Sequence, residues 1–324
     1  MNPSIFPSVP AQRKAPLSPA YADLMALVRI QFKARGFSFL PRQPVHSLLA
    51  GRHASRLRGR GLNFEEIRRY LPGDDIRNMD WKATVRLRKP HVRVYTEERD
   101  RPVLLLVDQR QTMFFGSRRT MKSVAAAEVT ALSAWRVFGA GDRVGALIFN
   151  DSEITEIRPH RSRDTVMRIL QETVRQNHAL HVASGVPPNA GMINEAFRQA
   201  ERLAKHDFLV VSIGDGAGAD DQTVRLVTRI TAHNDALAVF IYDPLEADLP
   251  EAGRLSFEEN GAQIEVDTSQ RRLRDKFRSA FEERRKWIHE MSRKRAMPVI
   301  PVSTVSDPAE QIREHLGHHS GVRR

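Results

Sequence analysis

The 324 residues include no cysteine, which removes disulfides, thiolate nucleophiles and zinc sites of the cysteine type, and fits a reducing compartment. No apolar stretch approaches the roughly 18 to 20 residues that a membrane-spanning helix needs. Met1 to Pro19 is proline-rich with scattered apolar residues, which is not the layout of an export signal. These absences predict a soluble, cytoplasmic chain without a membrane span. No Gly-x-x-x-x-Gly-Lys-Ser/Thr loop is present to cradle a nucleotide, and Gly139-Ala140-Gly141 is a helix stop. There is no Gly-x-Ser-x-Gly elbow for a serine hydrolase. His53, His160, His178, His181 and His206 lack the i, i+4 spacing of a zinc helix, and His315, His318 and His319 sit in a polar tail. Aromatic residues are sparse at 7%, which weakens any reading built on base stacking.

What is present is a core and an excess of positive charge. Hydrophobic residues make up 41%, and 51 lysines and arginines face 39 acids, for a net charge of +12. That excess suits nucleic acid, an anionic membrane surface or an acidic protein, and is equally compatible with a basic surface serving no polyanion.

The chain divides into a flexible tail (residues 1–20), an N-terminal helix with a β-rich, arginine-rich appendage (21–101), an α/β domain (102–305), and a closing helix with a polar tail (306–324). Leu24, Met25, Leu27, Val28 and Ile30 give the first helix its apolar face. Arginines then crowd from Arg52 to Arg93 around the turn Pro72-Gly73-Asp74-Asp75, and Val92 to Tyr95 alternates as a strand does. From Pro102 the pattern becomes strand–helix alternation. Strands are expected at 103–107, 143–149, 154–157, 208–213, 236–242 and 297–302. Helices are expected at 120–137, 163–175, 192–205, 221–233, 270–294 and 308–316. Such alternation predicts an open, mostly parallel sheet with helices on both faces.

The first of those strands ends on Asp108. In an open α/β sheet the crevice beyond the strands' carboxyl ends is where ligands bind, and an aspartate there offers hard oxygen to a divalent cation. A hydroxyl follows at Thr112, but Arg110 stands between them.

The run from Arg58 to Thr84 resembles the signature of domain-of-unknown-function family fifty-eight (DUF58). The match lies at Phe64, Glu66, Arg68, Tyr70, Pro72, Gly73, Asp74, Asp75, Arg77, Asp80 and Trp81, with Asn63 departing from the usual glutamate. The resemblance covers roughly residues 45 to 245. It implies a non-enzymatic protein with a Rossmann-like von Willebrand factor A-type domain, often encoded beside a MoxR-type AAA+ ATPase and acting in the chaperoning or maturation of other proteins. Many relatives carry transmembrane helices before the signature, whereas none is found here.

In intact A-type domains an Asp-x-Ser-x-Ser motif, a threonine of a second loop and an aspartate of a third hold a metal. The corresponding residues here are Asp108, Arg110 and Thr112, with Asp215 for the third loop; Gly191-Met192 supplies no threonine to the second. Three readings stand. Arg110 replaces the metal and bridges Asp108 to Asp215; or Asp108, Thr112 and Asp215 bind Mg2+ or Mn2+ weakly with Arg110 turned away; or Asp108 merely caps a strand end. In the signature, Asp74 and Asp75 read as turn residues more readily than as an acid/base pair. Asp80-Trp81 with Arg77 and Arg86 reads as an ion-pair network fastening the appendage, with Glu65 and Glu66 neutralising nearby arginines. Asp80, Lys82 and Glu97 do not have the order of a nuclease core.

The expected function is that of a cofactor-free, chaperone-like adaptor that binds protein through the rim of a degenerate metal-dependent adhesion site. Its partner would be a MoxR-type ATPase or that ATPase's client. Binding of nucleic acid by the basic appendage and the arginine-rich helix near the C-terminus is the alternative.

Overall fold

The structure, a computed structural model, describes residues 20–34, 62–72, 74–97, 101–181, 185–247, 249, 251, 253–259, 262–295 and 297–317. Residues 1–19 of the N-terminal tail, His53, the arginines from Arg52 to Arg60, Gly73, His318 and His319 lie outside them. The chain forms two compact units: residues 20–34 with 102–317, and the segment around 62–97.

The first helix is α1 (Leu24–Arg29), capped by Asp23, whose carboxylate accepts the Ala26 N–H at 2.7 Å. The second unit follows with β1 (Leu62–Arg69), α2 (Trp81–Leu87) and β2 (His91–Glu97). β1 and β2 pair antiparallel with a register shift between Phe64 and Glu66, which are opposite Tyr95 and Val94. The appendage is therefore a hairpin whose long connection carries the signature and one short helix.

The α/β unit continues with β3 (Val103–Asp108), α3 (Lys122–Ala140), β4 (Val144–Phe149), β5 (Ile154–His160), α4 (Arg163–His178), α5 (Met192–Leu203), β6 (Leu209–Gly214), α6 (Asp221–Thr231) and β7 (Asp235–Tyr242). A short α7 (Pro244–Ala247), the hairpin β8 (Arg254–Glu259) and β9 (Ala262–Asp267), the long α8 (Arg271–Arg295), β10 (Val299–Ser303) and α9 (Pro308–Gly317) complete it. The six-stranded sheet runs β10-β7-β6-β3-β4-β5. Only β5 is antiparallel to its neighbour, β4. This is the open, mostly parallel sheet flanked by helices that the alternation predicted. The hairpin β8–β9 was not among the expected strands, although Ala262, Ile264 and Val266 alternate with Gln263, Glu265 and Asp267 at the period of a strand.

β3 and β4 are buried at every position, as central strands covered on both faces must be. One face, with Leu105, Val107, Ala146, Ile148, Val211 and Val239, packs under the alanine-rich α3 and α4. The other, with Leu104, Leu106, Leu147 and Val210, meets α5 and α6 through Phe197, Ala200, Leu226 and Ile230.

Two expected boundaries are corrected. The first helix belongs to the α/β unit rather than to the appendage: Leu27 is buried in the main core, and the Trp135 Nε1–H reaches the Leu27 carbonyl at 3.3 Å. The closing helix belongs there too, since Ala309 and Ile312 of α9 are buried in that same core.

Candidate functional site

β3 and β6 are adjacent and parallel, so Asp108 and Asp215 leave the sheet side by side at its carboxyl edge. Gly214 permits the approach: a Cβ there would lie 2.8 Å from the Cβ of Asp108. Both aspartates are buried, Asp108 at 2% exposure and Asp215 at 0%, and the two cations beside them, Arg110 and Lys122, are each at 1%.

Arg110 turns back on Asp108. Its Nη2–H donates to Oδ2 at 2.6 Å, its Nε–H to Oδ1 at 3.0 Å, and its backbone N–H to Oδ1 at 3.0 Å. Nη2 also donates to the Ala217 carbonyl at 2.9 Å, in the loop that follows Asp215. The expectation that Arg110 would fork between the two aspartates is thus corrected. It joins the two loops, but through a backbone carbonyl. Asp215 takes a different cation: Lys122, at the start of α3, donates to its Oδ2 at 2.8 Å and to Glu246 Oε1 at 2.9 Å. The other oxygen of Asp215 accepts the Ala217 N–H at 2.9 Å. Gly216 and Gly218, with φ of +67° and +77°, give the loop its tight path around Ala217.

Sequence reasoning missed Lys122. Its one sequence feature, a lysine opening an otherwise apolar helix, does not point to Asp215. Arg284 extends the chain of charges, with Nη2 3.3 Å from Glu246 Oε1. Asp108, Asp215 and Glu246 are then balanced by Arg110, Lys122 and Arg284, as buried charge requires.

Burial is the largest influence on Asp108 and pushes its carboxyl above the ordinary value, against the pull of Arg110. Burial pushes Asp215 the same way, but the charge and hydrogen bond of Lys122, the Ala217 N–H and Arg110 outweigh it and bring it down to about 2. Lys122 is raised: desolvation opposes its charge, and Asp215 and Glu246 prevail.

Other carboxylates staple the surrounding loops. Asp151, after β4, accepts the Gln111 N–H at 2.6 Å and the Asn189 N–H at 2.7 Å. Asp243, after β7, accepts from Ser117 and from the Thr304 hydroxyl, the latter at 2.6 Å. Gln109 is fully buried and receives the Asn177 amide at 3.1 Å. Thr112 is exposed in a 3-10 turn and adds no hydrogen bond among the described residues. The second loop docks through its backbone at Asn189, where intact domains would offer threonine.

This donor set does not fit a divalent cation. Both oxygens of Asp108 and both of Asp215 are engaged by N–H donors, two of them cationic. Displacing an ammonium or a guanidinium by Mg2+ would strand that charge in a buried site. Among the described residues no cluster of three or more His, Asp or Glu side chains could hold a metal ion.

In the appendage the signature residues serve its turns. Arg68 grips Asp74 with two bonds of 2.7 and 2.8 Å, and Asp74 also accepts the Leu71 N–H at 2.8 Å. Arg68 holds that carboxyl below its usual range. Asp75 caps a 3-10 turn at the Arg77 N–H, and the Tyr70 N–H donates to the Pro90 carbonyl. Asp80 caps α2 at the Ala83 N–H and pairs with Arg93 at 2.8 Å. The partner expected from Arg77 or Arg86 is instead Arg93, which reaches Asp80 from β2. Phe64 and Glu66 lie on β1, and Pro72 and Trp81 are exposed.

The model of the family described as protein of unknown function DUF58 matches residues 66–287. An uncharacterized protein of Mycobacterium tuberculosis (strain ATCC 25618 / H37Rv) is 29% identical over 274 residues, covering 82% of this chain and 82% of its own. Among solved structures, the conserved hypothetical protein BatB from Bacteroides thetaiotaomicron is 12% identical over 67% of this chain and 98% of its own, with a TM-score of 0.43. A von Willebrand factor type A protein from Catenulispora acidiphila is 12% identical over 46% of this chain and 35% of its own, with a TM-score of 0.27. Among the described residues no helix is long and apolar enough to cross a membrane.

Proposed function

The chain belongs to the DUF58 family, whose function is unknown, and from the site itself we propose that it is a non-enzymatic adaptor or chaperone-like factor. It binds protein through the loops at the carboxyl edge of its sheet and works with a MoxR-type AAA+ ATPase, the partner that the family resemblance implies. The observation that carries the reading is the buried quartet of Asp108, Arg110, Asp215 and Lys122.

Four charges closed on one another hold the loops in a fixed arrangement, and leave no nucleophile, base or open coordination position for turnover. An intact adhesion site would capture a partner's carboxylate on its metal. Arg110 cannot do so as a bare cation, because it is sealed from water and fully occupied by Asp108 and Ala217. Recognition falls instead to the exposed rim, where Thr112 and Arg118 follow β3, Ser152 follows β4, and Val186 lies in the loop before α5. This rim is set without metal. The nucleic-acid alternative draws less support, because several arginines of α8 are already paired: Arg271 with Asp275 and Arg285 with Glu282 on the same helix, and Arg284 with Glu246 of α7.

The test mixes the purified chain with a MoxR-type AAA+ ATPase of the same organism and follows the complex by light scattering after size exclusion. A complex that survives EDTA and weakens tenfold or more in Thr112→Arg/Val186→Glu, with an unchanged circular dichroism spectrum, is expected. Absence of a complex, its loss on chelation, or turnover of a substrate by the chain alone would overturn the reading.

A further inference from the structure

In the smaller unit, apolar side chains face water. Trp81 is 67% exposed and Val85 76%, with Ile76 at 66% and Leu71 at 59% nearby in the chain. Trp81 and Val85 are one turn apart on α2 and share a face. Lys82 and Arg86, each one position further on, form an adjoining stripe, and both are exposed. The inward side is Ala83 and Thr84, whose hydroxyl accepts the His91 N–H at 3.0 Å. Seven residues of helix thus show water one apolar and one cationic stripe, side by side.

The unit's carboxylates whose side chains are described, Asp74, Asp75 and Asp80, do not neutralise those cations. Asp74 is held by Arg68 and Asp80 by Arg93, while Asp75 caps the turn at Arg77. Lys82, Arg86, Arg88 and Lys89 are all exposed and take part in no ion pair among the described residues.

We infer that this face of α2 docks an acidic, amphipathic segment of a partner protein, with an apolar side chain against Trp81 and Val85 and carboxylates on Lys82 and Arg86. Charge complementarity selects the occupant. A second copy of this chain would set one cationic stripe against another, which is repulsive. An interfacial membrane helix flanks its apolar face with cations and buries more of it than seven residues offer. Tryptophan and arginine are enriched among the residues that carry most of the energy of protein–protein contacts, and one tryptophan buries about 150–250 Å2. The inference does not rest on the rim, because none of the four residues belongs to it.

The experiment pans a random twelve-residue peptide display library on the full chain, with counter-selection on Trp81→Ala/Arg86→Glu. Enriched peptides should combine Asp or Glu with Leu, Phe or Trp. Their affinity by fluorescence anisotropy should fall tenfold or more in Trp81→Ala and in Lys82→Glu/Arg86→Glu, and should weaken with salt. These side chains are exposed, so circular dichroism should show both variants folded. Enriched peptides without acids, no peptide removed by counter-selection, or a Trp81 fluorescence shift with phosphatidylglycerol vesicles but not with the peptides would each overturn the inference.

Discussion

Replacing Lys122 by methionine removes one charge from the centre of the site and leaves the packing volume nearly unchanged. Lys122 is 1% exposed and is the only cation bonded to Asp215 among the described residues. Its removal strands a buried carboxylate, a change that costs about 3–5 kcal/mol when one partner of a buried pair is deleted. For a body of this size each kcal/mol moves the melting temperature by about 2–4 °C, so Lys122→Met should melt roughly 6–20 °C below the parent.

Urea unfolding, followed by circular dichroism and by tryptophan fluorescence, gives the number directly. Lys122→Met/Asp215→Asn should recover part of the loss, because the orphaned charge is gone as well. The deficit of the single variant should also narrow as pH falls toward about 4, because an unpaired buried carboxylate takes up a proton more readily. A single-variant loss below about 1 kcal/mol, or a double variant as unstable as the sum of its parts, would refute the view that Lys122 neutralises this site.

Three further outcomes follow from the same geometry. Asp215 has its folded pKa lowered from 3.8 to about 2. Its stabilisation is therefore present above the unfolded value and lost as pH falls through the folded one; urea midpoints should decline between about pH 4 and pH 2 by on the order of 2 kcal/mol from this group. Isothermal titration with Mg2+ or Mn2+ should give no saturable heat, and micromolar binding abolished by Asp108→Ala would contradict the closure of the site by its own cations. Arg110→Glu should prevent folding rather than merely weaken partner capture, since it sets a third carboxylate beside Asp108 and Asp215 at a 1% exposed position; a soluble, cooperatively melting Arg110→Glu protein would count against the burial of that side chain.

The sheet was legible because its signal is local. Leu104, Leu105 and Leu106 in succession are apolar on both faces, which a strand covered on both faces demands and an exposed one forbids. The position of Asp108 and Asp215 followed, since strand ends map to the ligand crevice whatever the ligand. The partners of those aspartates were less legible. Arg110 lies two residues from Asp108 and could be paired on paper, whereas Lys122 comes to Asp215 from 93 positions away. Nothing in the spacing of Lys122 distinguishes it from a lysine that opens a helix on the surface. Arg110 was likewise assigned the wrong second partner, because a backbone carbonyl such as that of Ala217 carries no residue-type signature. The same limit applied at Asp80, where Arg77 and Arg86 are nearer in sequence but Arg93 is nearer across the hairpin.

A metal at the end of a parallel sheet lets a binding surface be switched by ligand or by concentration, because the ion can leave. Two side chains tethered to the backbone at Arg110 and Lys122 cannot leave. Their charges are supplied with the chain, at an effective concentration that dilution and chelation do not alter. The rim they support is therefore held in its assembled arrangement, and under the proposed function any regulation of partner binding falls to features that do change. On the function proposed above, the first of these would be a nucleotide-driven ATPase pulling on a fixed handle. The second is the exposed face of α2, where unpaired cations make association sensitive to salt and to modification of an acidic partner. Phosphorylating such a partner segment would add charge of the sign that Lys82 and Arg86 attract, and should tighten the complex at low ionic strength while leaving the rim unaffected. Equal affinities for a phosphorylated and an unmodified peptide, measured at low salt, would remove the α2 face from that account.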